Sequence, residues 1–108
     1  MLLAQSRHWR AELVKDAVAL VPLDLPELRD LRIEVPLSRW NTAVKHVQSD
    51  RKLLGGLLLD HARHKDLVAI AVGRDRLWLE LTRVVLEATA ALVAAGHLVL
   101  EPPEKGTP

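Results

Sequence analysis

Residues 67–81 read Leu67-Val68-Ala69-Ile70-Ala71-Val72-Gly73-Arg74-Asp75-Arg76-Leu77-Trp78-Leu79-Glu80-Leu81. The first six are apolar on both faces and flanked by Asp66 and Gly73, the pattern of a central buried strand. After the polar turn Gly73-Arg74-Asp75, Leu77, Leu79 and Leu81 alternate with Arg76, Trp78 and Glu80. Two such runs around a short glycine-containing turn predict a β-hairpin. The competing reading is one long helix over 66–95, against which Gly73 and the alternation at 76–81 both speak.

Downstream, Thr82 offers an N-cap for a helix over 82–95, with Gly96 as its C′ residue. Only Arg83, Glu87 and Thr89 are polar within it, so its apolar surface wraps most of the circumference. A helix of that kind is buried on more than one side. Residues 97–101 are read as a last short strand, and the proline-rich 102–108 as a flexible tail.

Upstream, Leu31, Ile33 and Val35 alternate with Arg32 and Glu34 until Pro36, the period of a half-buried strand on an edge. Ser38 is a candidate cap for a helix carrying Trp40, Ala43, Val44 and Val47. Ser49 or Asp50 offers a cap for the next, which carries Leu53, Leu54, Leu57, Leu58 and Ala62; 38–64 is alternatively one bent helix. Gly55-Gly56 inside it costs about 1 kcal/mol per glycine relative to alanine, which points to a close neighbour or a kink. At the start of the chain Trp9, Leu13, Ala17, Val18 and Val21 recur with a helical period, giving an expected helix over 6–21 closed by Pro22. The resulting fold class is α+β: a small, mainly antiparallel sheet (31–35, 67–72, 76–81, 97–101) with a hairpin, packed against three or four helices. An all-α bundle is the alternative.

The 108 residues make one expected domain, residues 1–101, large enough to fold without a staple. There are no cysteines, which excludes disulfides, thiolate metal sites and thiol catalysis. The longest charge-free runs, 53–59 and 88–100, fall short of the roughly 20 apolar residues of a spanning helix. The first residues lack the basic stretch of a signal peptide, so a cytoplasmic protein is expected. Phe and Tyr are absent, which makes the core aliphatic around Trp9, Trp40 and Trp78.

Three features bear on function. The net charge is +1, yet residues 38–65 carry six basic groups against two acidic ones. Arg39, Lys45, Arg51, Lys52, Arg63 and Lys65, with Arg74 and Arg76 at the hairpin tip, fit a winged-helix arrangement on DNA or RNA. Against it, the helix that would enter the groove reads Leu53-Leu54-Gly55-Gly56-Leu57-Leu58-Leu59, with nothing to read base edges. Second, His61 and His64 stand three apart with His46 one helix earlier, a weak metal-ligand pattern that lacks the glutamate of HExxH. The pull of a helix C-terminus on imidazolium explains those histidines equally well, so no metal or other cofactor is expected.

Third, the last helix offers Val84, Val85, Ala88, Leu92 and Ala95, with Trp78 beside them, as an interface for a second copy or another protein. Enclosure of that helix inside the domain is the alternative. There is no GxSxG, GxxxxGK[ST] or GxGxxG, and each serine stands at an expected helix start, so no catalytic residue is assigned. The first expectation is a non-enzymatic, self-associating interaction module; the second is the nucleic-acid binder.

Overall fold

The computed structural model describes residues 1–99, and of Gln48 and Ser49 the backbone only. Four antiparallel strands form a meander in chain order: β1 (Leu2–Gln5), β2 (Trp9–Val14), β3 (Ala17–Pro22) and β4 (Ile33–Pro36). A 3-10 turn, Pro26–Leu28, lies between β3 and β4. Four helices follow: α1 (Leu37–Ser49), α2 (Arg51–Asp60), α3 (Lys65–Gly73) and α4 (Asp75–Ala94). The fold is α+β, as expected, but apart from β4 the sheet is built from other residues than expected. No helix among the described residues is long and apolar enough to cross a membrane.

The expected helix over 6–21 is instead the β2–β3 hairpin, with Leu13 opposite Val18, Ala11 opposite Leu20 and Trp9 opposite Pro22. Its two-residue turn, Lys15-Asp16, holds Lys15 in the left-handed region (φ 56°). Of the residues with the apparent helical period only Trp9 and Val18 are buried, while Leu13, Ala17 and Val21 are half-buried; the buried set Trp9, Ala11, Val18 and Leu20 instead follows the two-residue period of each strand. β4 is the edge strand expected around 31–35, ending at Pro36. Its outer edge is not left open. Arg63 N–H donates to Arg32 O (3.1 Å) and Glu34 N–H to His61 O (3.1 Å), with Ala62 bridging Ile33.

The hairpin expected at 67–81 is also a correction: these residues form α3 and the start of α4. Leu77, Leu81, Val84, Ala88 and Leu92 fall on one helical face, all buried, and α4 packs on β1 and β2. Packing of α3 on α2 and α4 outweighs the strand preference of Val68, Ile70 and Val72, because propensity is a weak prior against tertiary burial. The alternation at 76–81 is accidental. Leu79, the member that completes it, is 63% exposed.

Trp9 Nε1–H donates to Leu77 O (3.1 Å), which ties β2 to the first turn of α4. Trp40 Nε1–H donates to Thr89 Oγ1 (2.9 Å), which ties α1 to α4. Asp50 caps α2 by accepting from Lys52 N–H (2.8 Å), as its position predicts. Ser38 lies within the first turn of α1 instead of capping it. At the end of α4, Gly96 takes the expected C′ place with φ 78°. Its N–H donates to Val93 O and that of His97 to Leu92 O, the paired bonds of a Schellman ending. Thr82, expected as a cap, sits inside α4 and donates its hydroxyl to Leu79 O (2.7 Å). Residues 97–99 do not form a strand, and residues 100–108, including the expected tail, lie outside the described residues.

Candidate functional site

The eight basic residues come from all four helices and the segments that join them. Arg39 pairs with Asp60 (3.9 Å) and donates to His61 Nε2 (3.1 Å). Arg51 pairs with Asp75 (2.9 Å), donates to Val72 O and lies 5.1 Å over the Trp78 ring. Arg74 pairs with Glu27 (2.8 Å). Three of the eight charges are thereby cancelled locally. Residues 73–76 join α3 to α4, so the wing expected at the hairpin tip is not formed. Lys45 belongs to α1, Lys52 to α2, and Lys65 begins α3, while Arg63 lies on the segment beside β4. Arg76 meets Arg7 and His8 at a cavity that also holds Asp75 and Glu80, a lining of mixed charge. Glu80 accepts from Ser6 Oγ and from His8 N–H (2.6 Å), so its carboxylate holds the β1–β2 turn onto α4.

The Arg74 guanidinium, by its hydrogen bond, holds the Glu27 carboxyl below its ordinary range. The expected sign follows from that direction. A depressed carboxylate stabilises the fold at neutral pH, and this contribution is lost as pH falls through the depressed value. Arg74→Ala should return Glu27 to the ordinary carboxylate range in a carboxyl-carbon NMR titration. An unchanged Glu27 titration would sink this pairing.

His61 and His64 do not share a helix face, because α2 ends at Asp60 and residues 61–64 are the connection to α3. A guanidinium can only donate, so His61 Nε2 is the acceptor toward Arg39, with its lone pair already engaged. His46 lies in the last turn of α1. Among the described residues no three His, Asp or Glu side chains come together to hold a metal ion.

The residues expected at an interface mostly face inward. Trp78, Val84, Val85, Ala88 and Leu92 are buried within the chain, and only Ala95 is exposed. One side of α4 is thus covered by β1, β2, α1 and α3. A narrower strip remains on its solvent side. Leu79 is 63% exposed, and Leu86 and Val93 are each 41% exposed. They are seven residues apart, two helical turns, so they line one face with exposed Ala90 between them. Exposed Arg83 and Glu87 flank Leu86 on one side of the strip. The spacing of seven is visible in the sequence once 75–94 is read as a single helix.

A second apolar surface lies between α2 and α3. This groove of about 620 Å³ is lined by Gly55, Gly56, Leu59, Val68, Ala69 and Val72, with Asp50, Arg51 and Lys52 gathered at one end. A Cβ on Gly55 would stand 3.6 Å from Val72 Cγ1, ordinary contact across the two helices. A Cβ on Gly56 would meet nothing within 4 Å. Packing within the chain therefore does not require glycine at 56, although glycine there weakens α2 by about 1 kcal/mol relative to alanine.

Comparison with protein-family models, with curated proteins and with solved structures finds no match to this chain.

Proposed function

We propose that this chain is a non-enzymatic interaction module that self-associates through the solvent face of α4. The observation that carries the reading is the exposed strip of Leu79, Leu86 and Val93. Its spacing is self-complementary. A two-fold axis at Leu86 sets two α4 helices antiparallel, with Leu86 against its own copy and each Leu79 opposite the other copy's Val93. Arg83 and Glu87 lie on the same side of the strip, so the same axis brings each Arg83 beside the other copy's Glu87. A closed, isologous pair of this kind is the commonest form of homo-oligomer.

The size of the strip sets the affinity. From Leu79 to Val93 it runs about 21 Å along the helix axis. That is less than the roughly 800 Å² per partner of a standard interface needs. The expected dimer is therefore weak, with a dissociation constant in the micromolar range and a binding free energy near −8 kcal/mol. The rim pairs contribute little to that affinity and mainly fix orientation.

Sedimentation velocity from micromolar to millimolar concentration tests the reading, with a monomer–dimer shift expected. Leu86→Asp should give a monomer with an unchanged circular dichroism spectrum, because the side chain is already partly exposed. Arg83→Glu should weaken the dimer, and adding Glu87→Arg should restore it. A chain that stays monomeric throughout, or a dimer indifferent to Leu86→Asp, would defeat this assignment.

A further inference from the structure

We propose that the cavity between the β1–β2 turn and the start of α4 binds a small organic molecule through one carboxylate, held between Arg7 and Arg76. The inference does not depend on self-association through α4.

Three guanidiniums reach this cavity: Arg7 from the β1–β2 turn, Arg74 from the α3–α4 connection and Arg76 from the first turn of α4. Arg74 is held by Glu27 (2.8 Å), which lies outside the lining. Asp75, on the lining, is held by Arg51 (2.9 Å), which also lies outside it. Each of those pairs cancels. What remains is Arg7 and Arg76 against Glu80, one net positive charge with His8 neutral. The lining taken alone gives the same balance, three arginines against Asp75 and Glu80. The cavity therefore has a sign.

Local chemistry explains why two arginines are left over. Arg76 and Glu80 stand four apart on α4, the spacing at which opposite charges ordinarily pair. Here the Glu80 carboxylate turns to the β1–β2 turn instead, where its Oε2 accepts from both Ser6 Oγ and His8 N–H. Among the described residues neither Arg7 nor Arg76 forms an ion pair or a hydrogen bond. Two like charges on one cavity repel, and an oxyanion between them removes that repulsion. A carboxylate also matches the fork of a guanidinium. Leu25 and Leu77 complete the lining and offer an apolar surface to the rest of the molecule. The volume of about 550 Å³ lies within the range of roughly 300–1,000 Å³ of small-molecule pockets.

The test uses isotope-labelled protein at fixed ionic strength, titrated with benzoate, benzamide and benzamidinium. These are an anion, a neutral molecule and a cation of nearly the same shape. Saturable amide shifts from benzoate are expected at residues 6–8 and 74–80. Benzoate should bind about fivefold more tightly than benzamide, the margin between a charged and a neutral hydrogen bond, and benzamidinium should bind most weakly. Arg7→Gln and Arg76→Gln should each remove that margin, and Arg76→Glu should reverse the order. Both side chains are exposed, so the melting temperature should hold. Glu80→Gln keeps an oxygen for Ser6 and His8 but removes a charge, so it should bind benzoate more tightly than the parent does. The Leu86→Asp monomer should bind benzoate as the parent does, which separates this site from the α4 surface.

Equal affinity for benzoate and benzamide would overturn the proposal, as would benzoate binding that survives Arg76→Glu unchanged. Shifts that grow without saturation, or that the same concentration of chloride erases, mean a diffuse positive surface only, and defeat it too.

Discussion

Trp9→Ala should be among the most destabilising single substitutions in the chain, at about 3–5 kcal/mol. The indole is fully buried on the sheet face under α4, and its Nε1–H reaches Leu77 O. Truncating a buried tryptophan costs about 3–5 kcal/mol through lost transfer energy and the cavity left behind. A domain of this size has a total stability of about 5–15 kcal/mol. The loss therefore takes from about a fifth to all of what holds the chain folded. Trp9→Phe is the informative companion. It keeps most of the apolar area and removes the hydrogen bond, so about 1 kcal/mol is expected. Urea denaturation followed by circular dichroism measures both. A Trp9→Ala protein within 1 kcal/mol of the parent would show that α4 does not depend on this ring.

Trp40 presents the second large effect, and here the polar part can be isolated. Its ring is fully buried, and its Nε1–H donates to Thr89 Oγ1, which in turn donates to Val85 O (2.7 Å). Trp40→Ala should again cost about 3–5 kcal/mol. Thr89→Val conserves the shape and removes the acceptor. A buried indole N–H is then left unsatisfied, at about 1–3 kcal/mol. In Trp40→Phe no such donor remains, so Thr89→Val should be milder in that background by about 1 kcal/mol. Strictly additive costs would mean that the hydrogen bond carries no coupling between α1 and α4.

Three local features of the fold could be read from local chemistry: the cap of α2, the end of α4 and the edge strand β4. Asp50 is a short acidic residue just before an apolar run, and Gly96 follows the last apolar residue of α4; both do what their positions demand. β4 was legible because Leu31, Ile33 and Val35 all turn inward until Pro36 stops the strand. The first hairpin was not, because Lys15 and Asp16 are not the residues that announce a two-residue turn. Without that signal, the half-buried Leu13, Ala17 and Val21 fall in with Trp9 and Val18 as one apparent helical stripe. The opposite error at 67–81 arose from β-branched density and a chance alternation. The same error hid the candidate surface. A strand over 76–81 starts the helix only at 82, which takes Leu79 out of it and breaks the repeat of Leu79, Leu86 and Val93. The buried side of the helix was then the only side rich enough in apolar residues to attract attention.

The order of the elements also has a consequence for synthesis. The whole sheet lies within the first 36 residues, and every strand pairs with its neighbour in sequence. Each hairpin closes locally, so the meander can form as it leaves the ribosome. The helix that covers β1 and β2 ends at Ala94. At roughly 5–20 residues per second, that cover arrives about 3–12 s after the last strand. During this interval Trp9, Ala11, Val18 and Leu20 present an apolar face without α4, beside the unpaired edge of β1. The nascent chain is thus most open to chaperone capture, or to pairing with another nascent chain, after β4 and before α4 has emerged.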